Sequence, residues 1–139
     1  MVGRARFLRS NPTVTALGLA VTLSGQMPHS AGAQAVDCGN AATQMDMNIC
    51  AAQEFDAADG DLNATYQLAM SEWLGGRDTS NGQALLAAQR AWLAYRDAHC
   101  AAAASIYEGG SIQPMIYSLC LTDLTRTRTE LIRTYAEPY

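Results

Sequence analysis

The sequence predicts an all-α fold, a three-helix up-down-up bundle with two disulfides clamping one end. Three observations carry that expectation. Beyond residue 35 a single valine remains (Val36) and alanine is the commonest residue, which favours helix over strand. Apolar residues recur at spacings of three and four through three long stretches, the period of a helix face. Glycine pairs at Gly75-Gly76 and Gly109-Gly110 separate those stretches, and connections this short join antiparallel neighbours.

The first element is set apart from the bundle. Arg4, Arg6 and Arg9 give a positive start, and residues 13–23 (TVTALGLAVTL) form an apolar run within the ~7–15 residues of a secretory segment. Gly25, Pro28 and the string SAGAQA follow, offering cleavage at Ala31-Gly32-Ala33 or Ala33-Gln34-Ala35. Residues 1–33 therefore read as a secretory signal peptide and residues 34–139 as one helical domain, with export to the periplasm or beyond. Asp37 directly precedes Cys38 where a lipoprotein signal needs a small residue, so a lipid anchor is not expected.

Helix one is expected to open at Thr43, where T-Q-M-D places Asp46 three residues on, close to a capping box. Met47, Ala51, Phe55, Ala58, Leu62, Tyr66, Ala69 and Trp73 form its inner face, and Gly75-Gly76 ends it. Ser80, with Gln83 three later, is the expected start of helix two. Its inner face runs through Leu85, Leu86, Gln89, Trp92, Leu93, Arg96, Cys100 and Ala103. Pro114 suits the first turn of helix three, where its missing N–H is not needed. Leu119, Cys120, Leu124, Leu131 and Tyr135 are its expected face, with Pro138 as the stop.

Charge and length exclude several classes. The 139 residues carry nine arginines, no lysine and thirteen acids, a formal net charge of −4. Removing residues 1–33 takes away three arginines and no acid, leaving −7. No basic cluster lies outside the N-terminus, so nucleic acid is not an expected partner. No stretch reaches the ~20 apolar residues of a membrane span. The acidic surface should attract a cationic protein, with encounter rates that fall as salt rises.

All four cysteines, Cys38, Cys50, Cys100 and Cys120, lie in the expected mature chain, an even number in a small exported domain. Their spacings of 12, 50 and 20 lack the close pairs of a zinc site, so no metal and no cofactor is expected. Four cysteines allow three pairings. The start of helix one, the end of helix two and the start of helix three share a pole, and the bundle layout leans toward Cys50–Cys100 with Cys38–Cys120.

Several strings then occur in order. They are A-T-Q-M-D-M-N-I-C (42–50), A-D-G-D-L-N-A-T-Y (58–66), A-Q-R-A-W-L-A-Y-R-D-A-H-C (88–100), G-G-S-I (109–112) and C-L-T-D-L-T-R-T-R-T-E-L (120–131). As an ordered set with the four cysteines they resemble the lysozyme inhibitor LprI-type family of small exported bacterial proteins. The resemblance covers essentially the whole mature chain and implies an all-helical envelope protein. Inhibition of c-type lysozyme, attributed to at least one lipoprotein member, is what it implies for activity.

Two groups of residues stand out as candidate sites, with a polar pair on helix one besides. Gln89, Trp92 and Arg96 share one face of helix two, and Arg128 falls on the inward side of helix three. They read as an interior seam, with Arg96 expected to pair with Glu54, or with Asp123 as a second candidate. Asp59 and Asn63, one turn apart, read as polar bridges between helices. Gly109, Gly110 and Ser111 read first as a tight turn between helices; the alternative is a small protruding loop that enters a partner's cleft. An enzyme is not expected: Asp97 and His99 are two apart on a helix and diverge, so with Ser111 they make no triad. The sequence thus predicts an exported protein that binds and inhibits a lysozyme by blocking its cleft. The competing reading is a structural or stress-related envelope module without lysozyme affinity. Neither reading fixes an oligomeric state.

Overall fold

The computed structural model describes residues 35–136. The export segment expected over residues 1–33, and Pro138, lie outside the described residues. Three helices, α1 (Gln44–Leu68), α2 (Ser80–Ser105) and α3 (Gln113–Arg133), run up, down and up, and the described residues contain no strand. Short 3-10 turns at Cys38–Asn40 and Thr134–Ala136 flank them.

Local chemistry sets each helix end. Thr43 and Asp46 form the expected capping box: the Thr43 hydroxyl accepts from Asp46 N at 3.1 Å, and the Asp46 carboxylate accepts from Thr43 N at 3.2 Å. That satisfies two of the amides a helix start leaves free. α1 widens into a π-turn over Ala69–Trp73 before Gly75 and Gly76 turn the chain. The N-cap of α2 is Thr79, one residue before the expected Ser80. Its hydroxyl accepts from Gly82 N at 3.0 Å and lies 2.7 Å from the Leu74 carbonyl, so one side chain serves both helix and loop. Gln83 instead donates to the Arg77 carbonyl at 2.7 Å. Gly82 is required by this close approach, because a Cβ there would stand 2.2 Å from the Gly76 carbonyl oxygen. Pro114 sits in the first turn of α3 as expected.

α3 is the central helix, packing closely on α1 and, less extensively, on α2, while α1 and α2 meet mainly through side chains. This corrects the expected face of α3. Leu119, Leu131 and Tyr135 are exposed, and the buried positions are Leu121, Thr122, Thr125, Thr129 and Ile132. The physical reason lies in the threonines. Thr122 donates to the Ser118 carbonyl and Thr129 to the Thr125 carbonyl, each at 2.9 Å, so their hydroxyls are satisfied within the helix. Across from α3, α1 buries Ala51, Ala58, Leu62 and Thr65, most of them small. Small residues on both helices let the backbones approach closely. The large-side-chain core gathers at the other end, from Leu62, Ala69, Met70, Leu85 and Ile132, with Trp73, Leu86 and Trp92 against it.

The disulfides clamp one end of the bundle, but in a different pairing from the one the layout favoured. Cys38 bonds Cys50 and Cys100 bonds Cys120, each pair with Cα atoms 5.5 Å apart. With α3 between its neighbours, Cys100 of α2 meets Cys120 of α3 rather than Cys50 of α1. The turn at Cys38–Asn40 folds the chain back, so Cys38 reaches Cys50 locally. Only one of the two bonds therefore ties helix to helix.

Candidate functional site

The interior seam is built around Arg96, which is buried and reaches out of α2 to both other helices. Its Nη1 donates to Asp59 Oδ1 on α1 at 3.1 Å and lies 3.4 Å from Thr125 Oγ1 on α3. Its Nε donates to Asp97 Oδ1 at 2.9 Å. The guanidinium lies between two aromatic rings, 5.2 Å from the Phe55 centroid and 5.1 Å from that of Trp92. A planar, delocalised cation suits this position in a way an ammonium does not. Asn63 Nδ2 donates to the other Asp59 oxygen at 2.9 Å, so Asp59 is held from two sides.

Gln89, Trp92, Arg96 and Arg128 are brought together here. Arg128 Nε donates to Gln89 Oε1 at 3.0 Å, and its guanidinium lies 6.0 Å from the Trp92 ring. Arg128 Nη2 and the Tyr66 hydroxyl are buried with no partner among the described side chains. The partner of Arg96 differs from both expected acids: it is Asp59, while Glu54 pairs with the exposed Arg126 at 3.6 Å. Asp59 lies five residues beyond Glu54, about 7.5 Å along a helix. The same shift in register carries Cys50 past Cys100, so one displacement accounts for both corrections. Of the pair expected to bridge between helices, Asp59 does so through Arg96, whereas Asn63 bonds only Asp59 within α1.

The second group lies at the disulfide pole. Gly109, Gly110 and Ser111 are exposed in the connection between α2 and α3. Gly109 has φ +76°, a left-handed conformation that closes α2 and strongly favours glycine. Gly110 N donates to the Tyr107 carbonyl at 2.9 Å, and Asn48 of α1 donates to the Ser111 carbonyl at 3.0 Å. The connection is thus a turn, and one fastened to α1. Sequence reasoning passed over its neighbours Ile106, 80% exposed, and Tyr107, 42% exposed. Their signal was that the α2 periodicity ends before them, leaving two large apolar residues without an inner face. At the same pole Asn40 and the Gly39 amide donate to Asp37, holding its carboxyl below the ordinary 3.8.

Asp97 turns to Arg96 and His99 stacks on Tyr95 at 5.4 Å between ring centroids, so neither joins Ser111. Among the described residues no group of three or more His, Cys, Asp or Glu side chains is placed to hold a metal ion. No helix of the described residues is long and apolar enough to cross a membrane. In comparison with known proteins, residues 37–131 match the family model described as Lysozyme inhibitor LprI. The chain is also 42% identical over 128 residues to an uncharacterized protein of Rhizobium meliloti (strain 1021), covering 86% of this chain and 92% of that one. No solved structure matches the chain.

Proposed function

Since the chain belongs to the lysozyme inhibitor LprI family, we propose that it is an exported protein that binds a c-type lysozyme and blocks its cleft. The match over residues 37–131 carries this reading, because it covers α1, α2, nearly all of α3 and all four cysteines. Two disulfides suit an oxidising compartment outside the cytosol, and the pattern of residues 1–33 supports removal of a signal peptide. A formal charge of −7 on residues 34–139 favours a cationic partner, because attraction between opposite charges accelerates encounter.

Lysozyme chemistry uses two carboxylates beside the sugar. A narrow turn of amides and a hydroxyl, Gly109-Gly110-Ser111, is suited to enter between them, with the Glu108 carboxylate left at its edge. In this reading the protein acts by occupation of the cleft and carries out no reaction of its own.

The test is titration of the purified chain against a c-type lysozyme in a cell-wall lysis assay. Lysis should slow as the chain approaches stoichiometry, and the effect should weaken with added salt. Unaltered lysis in stoichiometric excess at low salt would overturn the reading.

A further inference from the structure

Charge is divided unevenly along the bundle. The Arg96 layer, with Asp59 and Asp97, crosses it near the middle. On the disulfide side of that layer, residues 35–58 and 98–125 carry Asp37, Asp46, Glu54, Asp56, Glu108 and Asp123 and no arginine. The layer and the far half hold all six arginines of the described residues against six acids. Arg126, at the layer, reaches back to Glu54, so five of the six acids on the disulfide side have no arginine beside them, and most of the net charge of these residues, six arginines against twelve acids, lies in that half.

The same half presents large apolar side chains that the fold does not use. Ile106 is 80% exposed and Met45 67% exposed, and Tyr107 stands next to the turn. The segment is held in place: Tyr107 N donates to the Ala104 carbonyl at 3.0 Å, and the Ser111 carbonyl accepts from Asn48. A groove of about 350 Å³ lined by Ala101, Ala104, Gln113, Pro114 and Tyr117 lies between the end of α2 and the start of α3. Apolar anchors beside a recess, rimmed by charge and already fixed, have the anatomy of a binding surface that needs little ordering on contact.

We propose that the disulfide pole is the docking surface for a cationic protein, anchored by Ile106 and Tyr107 and steered by the acidic rim around them. This rests on the reading of the chain as a lysozyme inhibitor and states which end of it meets the enzyme. The far half also exposes Leu68, Leu131 and Tyr135, but its charges balance and a cationic partner gains nothing from approaching there.

The experiment compares matched substitutions at the two ends, measuring lysozyme affinity by calorimetry and association rate by stopped flow. Ile106→Asp should weaken binding at least tenfold, and Leu131→Asp less than twofold. Glu108→Arg and Glu72→Arg change net charge equally, so a difference between them reports location alone. The first should slow association several-fold more than the second at low salt. All four side chains are exposed, so helicity and melting temperature should be unchanged, which separates lost contact from lost fold. Equal losses at both ends, or larger losses at the far end, in either pair overturn the inference and leave the inhibitor reading intact. Failure of the unsubstituted chain to bind lysozyme at low salt overturns that reading, and the inference falls with it.

Discussion

The two halves of the bundle, on either side of the Arg96 layer, are held by different forces. In the far half Leu62, Met70, Leu85 and Ile132 are buried together, with Tyr66, Trp73 and Trp92 packed against them. In the disulfide half the buried apolar residues are Ala51, Ala58, Cys100, Ala104 and Leu121, most of them small. A domain near 100 residues has little core to spend on both ends. Where the cores thin out, a covalent bond from α2 to α3 takes over, and that end is free to carry unbalanced charge and exposed Ile106. The half with the weaker core is thus the half with the more distinctive surface.

This contrast can be broken most sharply at Leu62, which is 1% exposed. Leu62→Ala should cost about 3–5 kcal/mol, the range for a cavity left in a packed core. In the other half α1 already carries alanine at Ala51 and Ala58, so on that helix no comparable truncation exists, and Leu121 of α3 is the one large buried aliphatic side chain there. Urea denaturation of the oxidised protein measures the difference. A cost below about 1 kcal/mol would mean that the far half is not the main source of packing energy.

Replacing Cys100 and Cys120 together by alanine should cost about 3 kcal/mol, the value for closing a loop of this size. The Cys38/Cys50 double alanine variant should lose only about 1 kcal/mol, because that bond fastens a turn with no buried residue, which is expected to open without the bundle. Thermal melts of the two variants rank them. Equal losses would show that the N-terminal turn unfolds with the helices.

Arg96→Met tests the layer that joins the halves. It removes two ion pairs and two aromatic contacts, and leaves Asp59 and Asp97 unpaired. Both carboxylates are partly exposed, at 36% and 55%, so water relieves them. The loss should be about 2–3 kcal/mol, less than the 3–5 of a fully buried pair. Arg96→Lys should recover little of it, since one ammonium cannot span both rings and both acids. Unchanged stability with lost lysozyme binding would make Arg96 a contact residue instead of a structural one.

Much of this architecture was legible in the sequence, and the exceptions share physical causes. The helices announced themselves through the Thr43–Asp46 cap, Pro114 and apolar spacing, because those signals are local. The seam of Gln89, Trp92 and Arg96 was legible for the same reason. The face of α3 was not: threonines that bond their own helix behave as small apolar residues once folded, and composition does not reveal it. The partners of Arg96 and the cysteine pairing depend on the relative height of two helices, which no single helix encodes. A five-residue shift was enough to change both. Ile106 and Tyr107 went unnoticed because a search for inner faces passes over residues that have none.

The smallest expected effect asks whether the two halves unfold as one. Gly60 lies in the middle of α1, one residue past Asp59, and nothing stands within 4 Å of where its Cβ would be. Gly60→Ala should therefore add about 0.5–1 kcal/mol by restricting the unfolded chain and favouring the helix, without a new contact. Because the position sits at the junction, its gain is shared by both halves only if α1 melts as a single unit. Hydrogen exchange on the oxidised protein distinguishes the cases. Slowing of the amides in both the 47–57 and 61–68 segments means one cooperative unit. Slowing confined to 61–68 means that the disulfide half opens on its own, as the small side chains buried at Ala51 and Ala58 permit.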